Sequence, residues 1–166
     1  IRDSPSTVTD EVTALRTKSV DAIWIFYAWA GVKTELEGLE TDYFAFADLD
    51  SVFDFYTPVI IANNTFLAEE PETARAFLDA VSRGYEFAIE HPQEAGEILC
   101  KAAPELDPDL VKASQEYLAD KYQADAPQWG YIDQERWDAY YAWLNEKGLT
   151  ETPIEAGTGC SNESLP

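Results

Sequence analysis

One histidine, His91, two cysteines, Cys100 and Cys160, and thirty-two Asp and Glu side chains are the groups here with acid–base, nucleophilic or metal-binding capacity. His91 precedes Pro92 at the end of a predicted helix, which reads as a surface or capping position. A Ser-His-Asp or Cys-His system would have to pass through that one imidazole, and no nucleophile motif accompanies it. There is no Gly-rich phosphate loop and no Cys/His cluster with zinc spacing. Carboxylate pairs such as Glu69–Glu70 and Asp48/Asp50 arise from the abundance of acids alone, so glycosidase-like work is disfavoured. The expectation is no catalytic residue, no metal and no cofactor. Cys100 and Cys160 could pair if the protein is exported and would stay reduced in a cytosol.

The aromatics offer a different chemistry. "VDAIWIFYAWAG", residues 20–31, carries Trp24, Phe26, Tyr27 and Trp29 within six positions. In a strand, Trp24 and Phe26 point to the face opposite Ile23 and Ile25. Tyr27 and Trp29 then fall at the strand-to-helix turn, and ligands of open α/β sheets sit beyond the carboxyl ends of strands. Flat rings there would receive a planar heterocycle, with stacking worth on the order of 1 kcal/mol per contact beyond area burial. The alternative is ordinary core, the commoner fate of aromatics at a strand end, and spacing alone does not exclude it.

Elements that could position these rings follow from periodicity. Residues 7–19 read as a helix capped by Thr7 or Thr9, with Val8, Val12 and Leu15 on one face. "VDAIWIF" reads as a strand buried on both faces, "AWAGVKTELEG" as a short helix closed by Gly38, and "DYFAFAD" as a second strand. "FYTPVIIAN" is a third strand, paired from Val59 to Ala62 because Pro58 cannot donate to a ladder. Helices follow at "PETARAFLDAVSRGYEFAIEHP", "PQEAGEILCKA", "DPDLVKASQEYLADKY" and "DQERWDAYYAWLNEKG". The first carries a stripe of Ala74, Phe77, Leu78, Val81, Tyr85 and Ala88. The last repeats Trp137, Tyr140, Tyr141 and Leu144 and stops at Gly148. The order is βα units and then helices, an α/β chain. The first helix lacks the strand that should precede it, so an earlier segment of the fold is expected outside this sequence.

The 166 residues are 46% hydrophobic and carry a net charge of -21, enough apolar content to bury a core. Four bases stand against eleven acids in residues 1–57, and seven against twenty-one in 58–166, so the charge is spread evenly. Such a surface repels phosphate backbones and anionic lipid heads, which excludes nucleic acid and peripheral membrane binding as expected partners. No apolar run reaches transmembrane length.

Taken in order, "VDAIWIFYAWAGVKTELEG", "FYTPVIIANNTFLAEEPETARAFLDAVSRGYEFAIEHPQEAGEIL", "APELDPDLVKASQEYL" and "WGYIDQERWDAYYAWLNEKGL" resemble the C-terminal part of the thiamine-pyrimidine-precursor (NMT1/THI5-like) substrate-binding proteins. The likeness runs from about Val8 to "NESLP". It implies part of a type II periplasmic-binding-protein fold, a three-layer α/β lobe with C-terminal helices, closing on its ligand by hinge motion. Residues 1–57 would form the later part of one lobe up to the crossover. Residues 58–166 would form the crossover strand and helices packing on the other lobe, with the N-terminal half lying outside these residues. By position, the resemblance assigns ligand contacts to Trp24, Tyr27 and Trp29, and weaker ones to Asp54 and Tyr56 at the crossing. Many relatives carry an acidic residue where this chain has Ala30, so the specificity for an aminopyrimidine is open to change.

The implied function is the solute-binding component of an ABC importer. It would take a small planar heterocycle such as a thiamine pyrimidine precursor, without catalysis, and dock on an ABC permease. The implied location is periplasmic or extracellular, lipid-anchored to the bacterial membrane through a segment outside this chain. In that setting Cys100 and Cys160 are a candidate disulfide. Two alternatives compete: a pyrimidine-synthesis enzyme on the same fold, which would need reactive His and Cys residues and iron, and a helical interaction domain whose aromatics are only core.

Overall fold

A computed structural model describes residues 10–166. The described residues divide into two compact units: those up to Asp42 together with Glu86–Ala124, and Tyr43–Tyr85 together with Asp125–Pro166. The lobe boundary expected at Thr57 belongs to the larger fold and is taken up below as a proposal.

In the first unit, α1 runs Glu11–Arg16 and is capped by Asp10, whose carboxylate accepts from Thr13 N–H at 2.6 Å. The expected caps Thr7 and Thr9, and Val8 of the expected apolar face, lie outside the described residues. The helix ends three residues earlier than its pattern suggested. Thr17 turns its hydroxyl back to the Thr13 carbonyl at 2.8 Å, and Lys18 takes a left-handed φ of 56°. A π turn, Tyr27–Gly31, leads directly into α2, Val32–Leu36. Helices α6, Pro92–Ala102, and α7, Pro108–Leu118, form a hairpin. Both begin on proline, whose missing N–H costs nothing in a first turn. Gly96 admits Val111 closely: a Cβ there would sit 3.4 Å from the valine methyl. The buried apolar residues of this unit are Val12, Ala14, Ala30, Val32, Leu110 and Val111.

In the second unit, α3 spans Phe46–Leu49, followed by a 3₁₀ turn at Ser51–Phe53, and α4 spans Asn64–Glu69. Asn63 caps α4 through Thr65 N–H at 2.8 Å. The long helix α5, Pro71–Glu90, belongs to this unit up to Tyr85 and to the first from Glu86; it keeps its predicted limits, with Ala74 buried, but Phe77 is 56% exposed and leaves the predicted stripe. Helix α8, Gln134–Glu146, is capped by Asp133 onto Arg136 N–H at 2.8 Å. Trp129, one of the few buried large side chains, stacks on Tyr85 at 4.5 Å and 19°.

The three predicted strands are a correction. Among the described residues there is no β-ladder: 22–26 and 54–62 lack regular structure, and "DYFAFAD" turns into α3 at Phe46. A strand is made by its neighbour, because an extended backbone gains its hydrogen bonds only across a ladder. The backbone dihedrals themselves are strand-like where the segments meet helices, with Phe26 at φ -89°, ψ 115° and Ala45 at φ -84°, ψ 142°. The side chains of these segments are left outside any core: Ile61 is 88% exposed and Trp24 61%. The apolar, β-branched character that suggested strands is therefore real, and the pairing is what these residues lack.

An ion pair fastens α1 to the start of α2. Asp10 accepts from Lys33, which also lies 3.8 Å from Glu37. The Lys33 ammonium, helped by the Thr13 hydrogen bonds, holds the Asp10 carboxyl at about 2 against an ordinary 3.8, and Asp10 in turn raises Lys33 above 10.5. The depressed acid stabilises the fold above pH ~3.8 and loses that contribution as pH falls toward ~2. The raised base contributes below 10.5 and loses it as pH climbs through the raised value. Both groups are about a third exposed, so solvent screening holds the pair to less than ~1 kcal/mol. Urea midpoints measured between pH ~5 and ~2 should fall less steeply in Lys33→Met than in the parent. Equal slopes would remove the pair from the account.

Candidate functional site

Tyr27, Ala28 and Trp29 stand on the π turn rather than at the end of a paired strand. Val32 N–H reaches back five residues to the Tyr27 carbonyl, which widens the turn and re-aims the side chains it carries. Gly31 makes the turn feasible. Its φ of -63° suits any residue, but a Cβ would meet Tyr27 Cδ2 at 2.5 Å and Cγ at 2.7 Å. The Tyr27 ring therefore lies flat on bare backbone. Its hydroxyl donates to Glu35 of α2, and its face leans on Tyr117 of α7, centroids 5.2 Å apart at 40°. Neither partner has a local signal in the sequence: Glu35 sits two turns beyond Tyr27, and Tyr117 is ninety positions away.

Around this fixed ring the other aromatics are exposed. Trp29 is 39% accessible. Trp24 is 61% accessible and meets Phe26 edge-on at 4.6 Å and 69°. Three of the predicted contacts, Trp24, Tyr27 and Trp29, thus lie within eight residues of one unit, two on the surface and one half-buried. Ala30 faces the other way, 5% exposed. An acidic side chain on this backbone would be desolvated there, a cost of several kcal/mol without a partner.

Asp54 and Tyr56 belong to the second unit. The Asp54 carboxylate is matched by Arg136, 2.6 Å from its guanidinium, and the Asp54 carbonyl accepts from Arg136 Nε at 2.5 Å. Arg136 also lies over the Tyr56 ring at 4.4 Å, and the Tyr56 hydroxyl accepts from Asp133 N–H at 2.9 Å. Sequence reasoning missed Arg136, which is 82 positions from Asp54. Beside this clamp, Phe55, Tyr56, Thr57 and Val59 face Trp137, Tyr140 and Tyr141 of α8 across a groove of about 200 Å³.

Cys100 and Cys160, the candidate disulfide, are free thiols, one in each unit. Burial pushes the Cys160 thiol upward, against a hydrogen bond to Gln134 at 3.4 Å. Among the described residues no three His, Cys, Asp or Glu side chains gather as a metal-binding group. No described helix is long and apolar enough to cross a membrane.

Comparison with known proteins bears on this geometry. Residues 5–95 match the family described as NMT1/THI5 like. A formylaminopyrimidine-binding protein of Halalkalibacterium halodurans is 29% identical over 124 residues, 72% of this chain and 37% of that protein. The riboflavin-binding protein RibY of Chloroflexus aurantiacus is 24% identical over 140 residues, 78% of this chain and 38% of its own. A 4-amino-5-hydroxymethyl-2-methylpyrimidine phosphate synthase of Candida albicans is 36% identical over 56 residues, only 16% of that enzyme. The chain thus spans little more than a third of the two binding proteins it resembles.

The Tyr27–Gly31 contact makes a signed prediction. Overpacking of this kind costs about 1–3 kcal/mol, while Ala in place of Gly inside a helix gains about 1. Gly31→Ala should therefore be destabilised on balance in thermal unfolding. The same change made in a Tyr27→Ala background should be stabilising, because the obstructing ring is gone. A stabilised single variant would mean that the ring does not rest on the turn.

Proposed function

This chain belongs to the NMT1/THI5-like family, whose fold is of the periplasmic-binding type, and from that premise we propose that its protein is the solute-binding component of an ABC importer. The ligand is a small planar nitrogen heterocycle, a pyrimidine precursor of thiamine or a compound of similar shape. The relatives support this class: one is named for a formylaminopyrimidine and another for riboflavin, both flat rings with polar edges. The observation that carries the reading is the exposure of Trp29, on the turn itself, beside a Tyr27 ring immobilised on Gly31. A core aromatic would be covered, whereas Trp29 presents its indole at a turn fixed from behind.

In this reading Trp24, Tyr27 and Trp29 stack on the ligand, with Asp54 and Tyr56 as weaker contacts at the crossing. Ala30 supplies no carboxylate, so an exocyclic amine is recognised elsewhere; Glu35 is the nearest acid held in place, through the Tyr27 hydroxyl. The segments 22–26 and 59–62 become strands once paired within the larger sheet, residues 1–57 finishing one lobe and 58–166 returning to the other. The protein works outside the cytoplasm with a permease, held to the membrane by a lipid anchor outside these residues. It performs no catalysis. The synthase likeness covers a short stretch, and a single His beside a proline is a poor basis for iron chemistry.

Titration of the full-length protein with a formylaminopyrimidine and with riboflavin, followed by tryptophan fluorescence, should give saturable quenching with at least one of them. Trp29→Ala should lower that affinity at least tenfold, about 1.4 kcal/mol, while leaving the melting temperature nearly unchanged. A core role predicts the reverse, a loss of several kcal/mol of stability and no ligand-dependent signal in either protein.

A further inference from the structure

The groove between residues 55–59 and α8 has a shape unlike the heterocycle wall. Five of its seven lining residues are aromatic: Phe55, Tyr56, Trp137, Tyr140 and Tyr141. Phe55 and Tyr140 stack at 4.4 Å and 28°, but Trp137 meets Tyr141 at 52° and Tyr140 meets Tyr141 at 67°. Rings turned through such angles make a corner rather than a slot. A planar ligand needs parallel faces, whereas a compact, roughly spherical group touches several tilted faces at once.

The walls are set before anything binds. Trp137 Nε1 donates to the Thr158 carbonyl at 2.9 Å, and its benzo edge lies over Gly159, where a Cβ would come within 3.4 Å. Gly159 holds a φ of 84°, open to glycine at no cost. On the other side, Asp133 N–H fixes the Tyr56 hydroxyl. Preorganised walls spare the ligand the entropy of ordering them.

Charge decides the kind of occupant. Residues 43–85 and 125–166 hold fifteen acids against four bases. The base beside the groove is Arg136, and Asp54 neutralises it at 2.6 Å. That guanidinium occupies one face of Tyr56 at 4.4 Å, a cation–aromatic contact at the edge of the same groove. Aromatic faces attract an alkylammonium group through the ring quadrupole, by about 0.5–2 kcal/mol per ring according to desolvation. We propose that this groove is a second binding site, distinct from the Trp24, Tyr27 and Trp29 wall although Tyr56 lines it too, and that it takes a small organic cation of the quaternary ammonium class. Trp137 and Tyr141 form its corner, and the anionic surface around it supplies the long-range attraction.

Choline and its uncharged carbon isostere, 3,3-dimethylbutan-1-ol, have nearly the same shape, so comparing them isolates the charge. Calorimetric titration of the full-length protein should show choline binding at least tenfold more tightly than the alcohol. Trp137→Leu should lower choline affinity at least tenfold, Trp137→Phe should retain part of it, and Tyr141→Phe should keep it within about threefold, since the aromatic ring face is preserved. Heterocycle affinity should be unchanged in Trp137→Phe, which separates this site from the proposed solute site. Equal affinity for the two probes, no saturation at millimolar choline, or full choline affinity in a folded Trp137→Leu protein would each overturn the proposal.

Discussion

A tyrosine ring lying on a glycine is the contact from which the rest of the first unit takes its arrangement. With no Cβ at Gly31, the Tyr27 ring closes to within van der Waals distance of the backbone of its own turn. That closeness permits the five-residue hydrogen bond of the π turn, which directs Trp29 outward while Ala30 and Gly31 face inward. Glu35 and Tyr117 then hold the ring from two sides, and Asp10 ties α2 to α1 through Lys33. No single one of these interactions is strong. Their common effect is that Trp29 is presented by a turn held from several sides.

Helices were legible in the sequence because their information is local. Pro71 and Pro92 bracket α5, Asp107 and Asp133 cap α7 and α8, and Gly148 follows the last with φ 66°. Each depends on groups a turn or two away. The strand segments were legible as composition and not as structure, since β-branched and aromatic runs declare a preference for a ladder without supplying one. The site divides in the same way. Trp24, Tyr27 and Trp29 could be named as candidates only by their position in the family likeness, since spacing alone left them as ordinary core. Gly31 looked like an ordinary helix residue, and Tyr117 and Arg136 come from segments far away, where only the fold could bring them in.

The surface tells a consistent story about partners. Acids outnumber bases by almost three to one, and the ion pairs in the structure are mostly exposed and individually weak. Such a field discourages polyanions and keeps the protein dispersed. It also leaves aromatic faces as the natural contact points for anything uncharged or cationic. In the first unit exposed aromatics lie on and just before the π turn, and in the second half-buried rings of 55–56 and α8 meet at an angle.

The central claim is that the turn carrying Trp24 through Gly31 meets the solute. Amide hydrogen exchange of the full-length protein, with and without a saturating formylaminopyrimidine, examines that directly, because a ligand seated on a segment suppresses the local openings through which its amides exchange. Ligand should slow exchange across residues 22–31 by at least tenfold more than across α6 or α7. Protection that left 22–31 unchanged while appearing elsewhere would contradict the account.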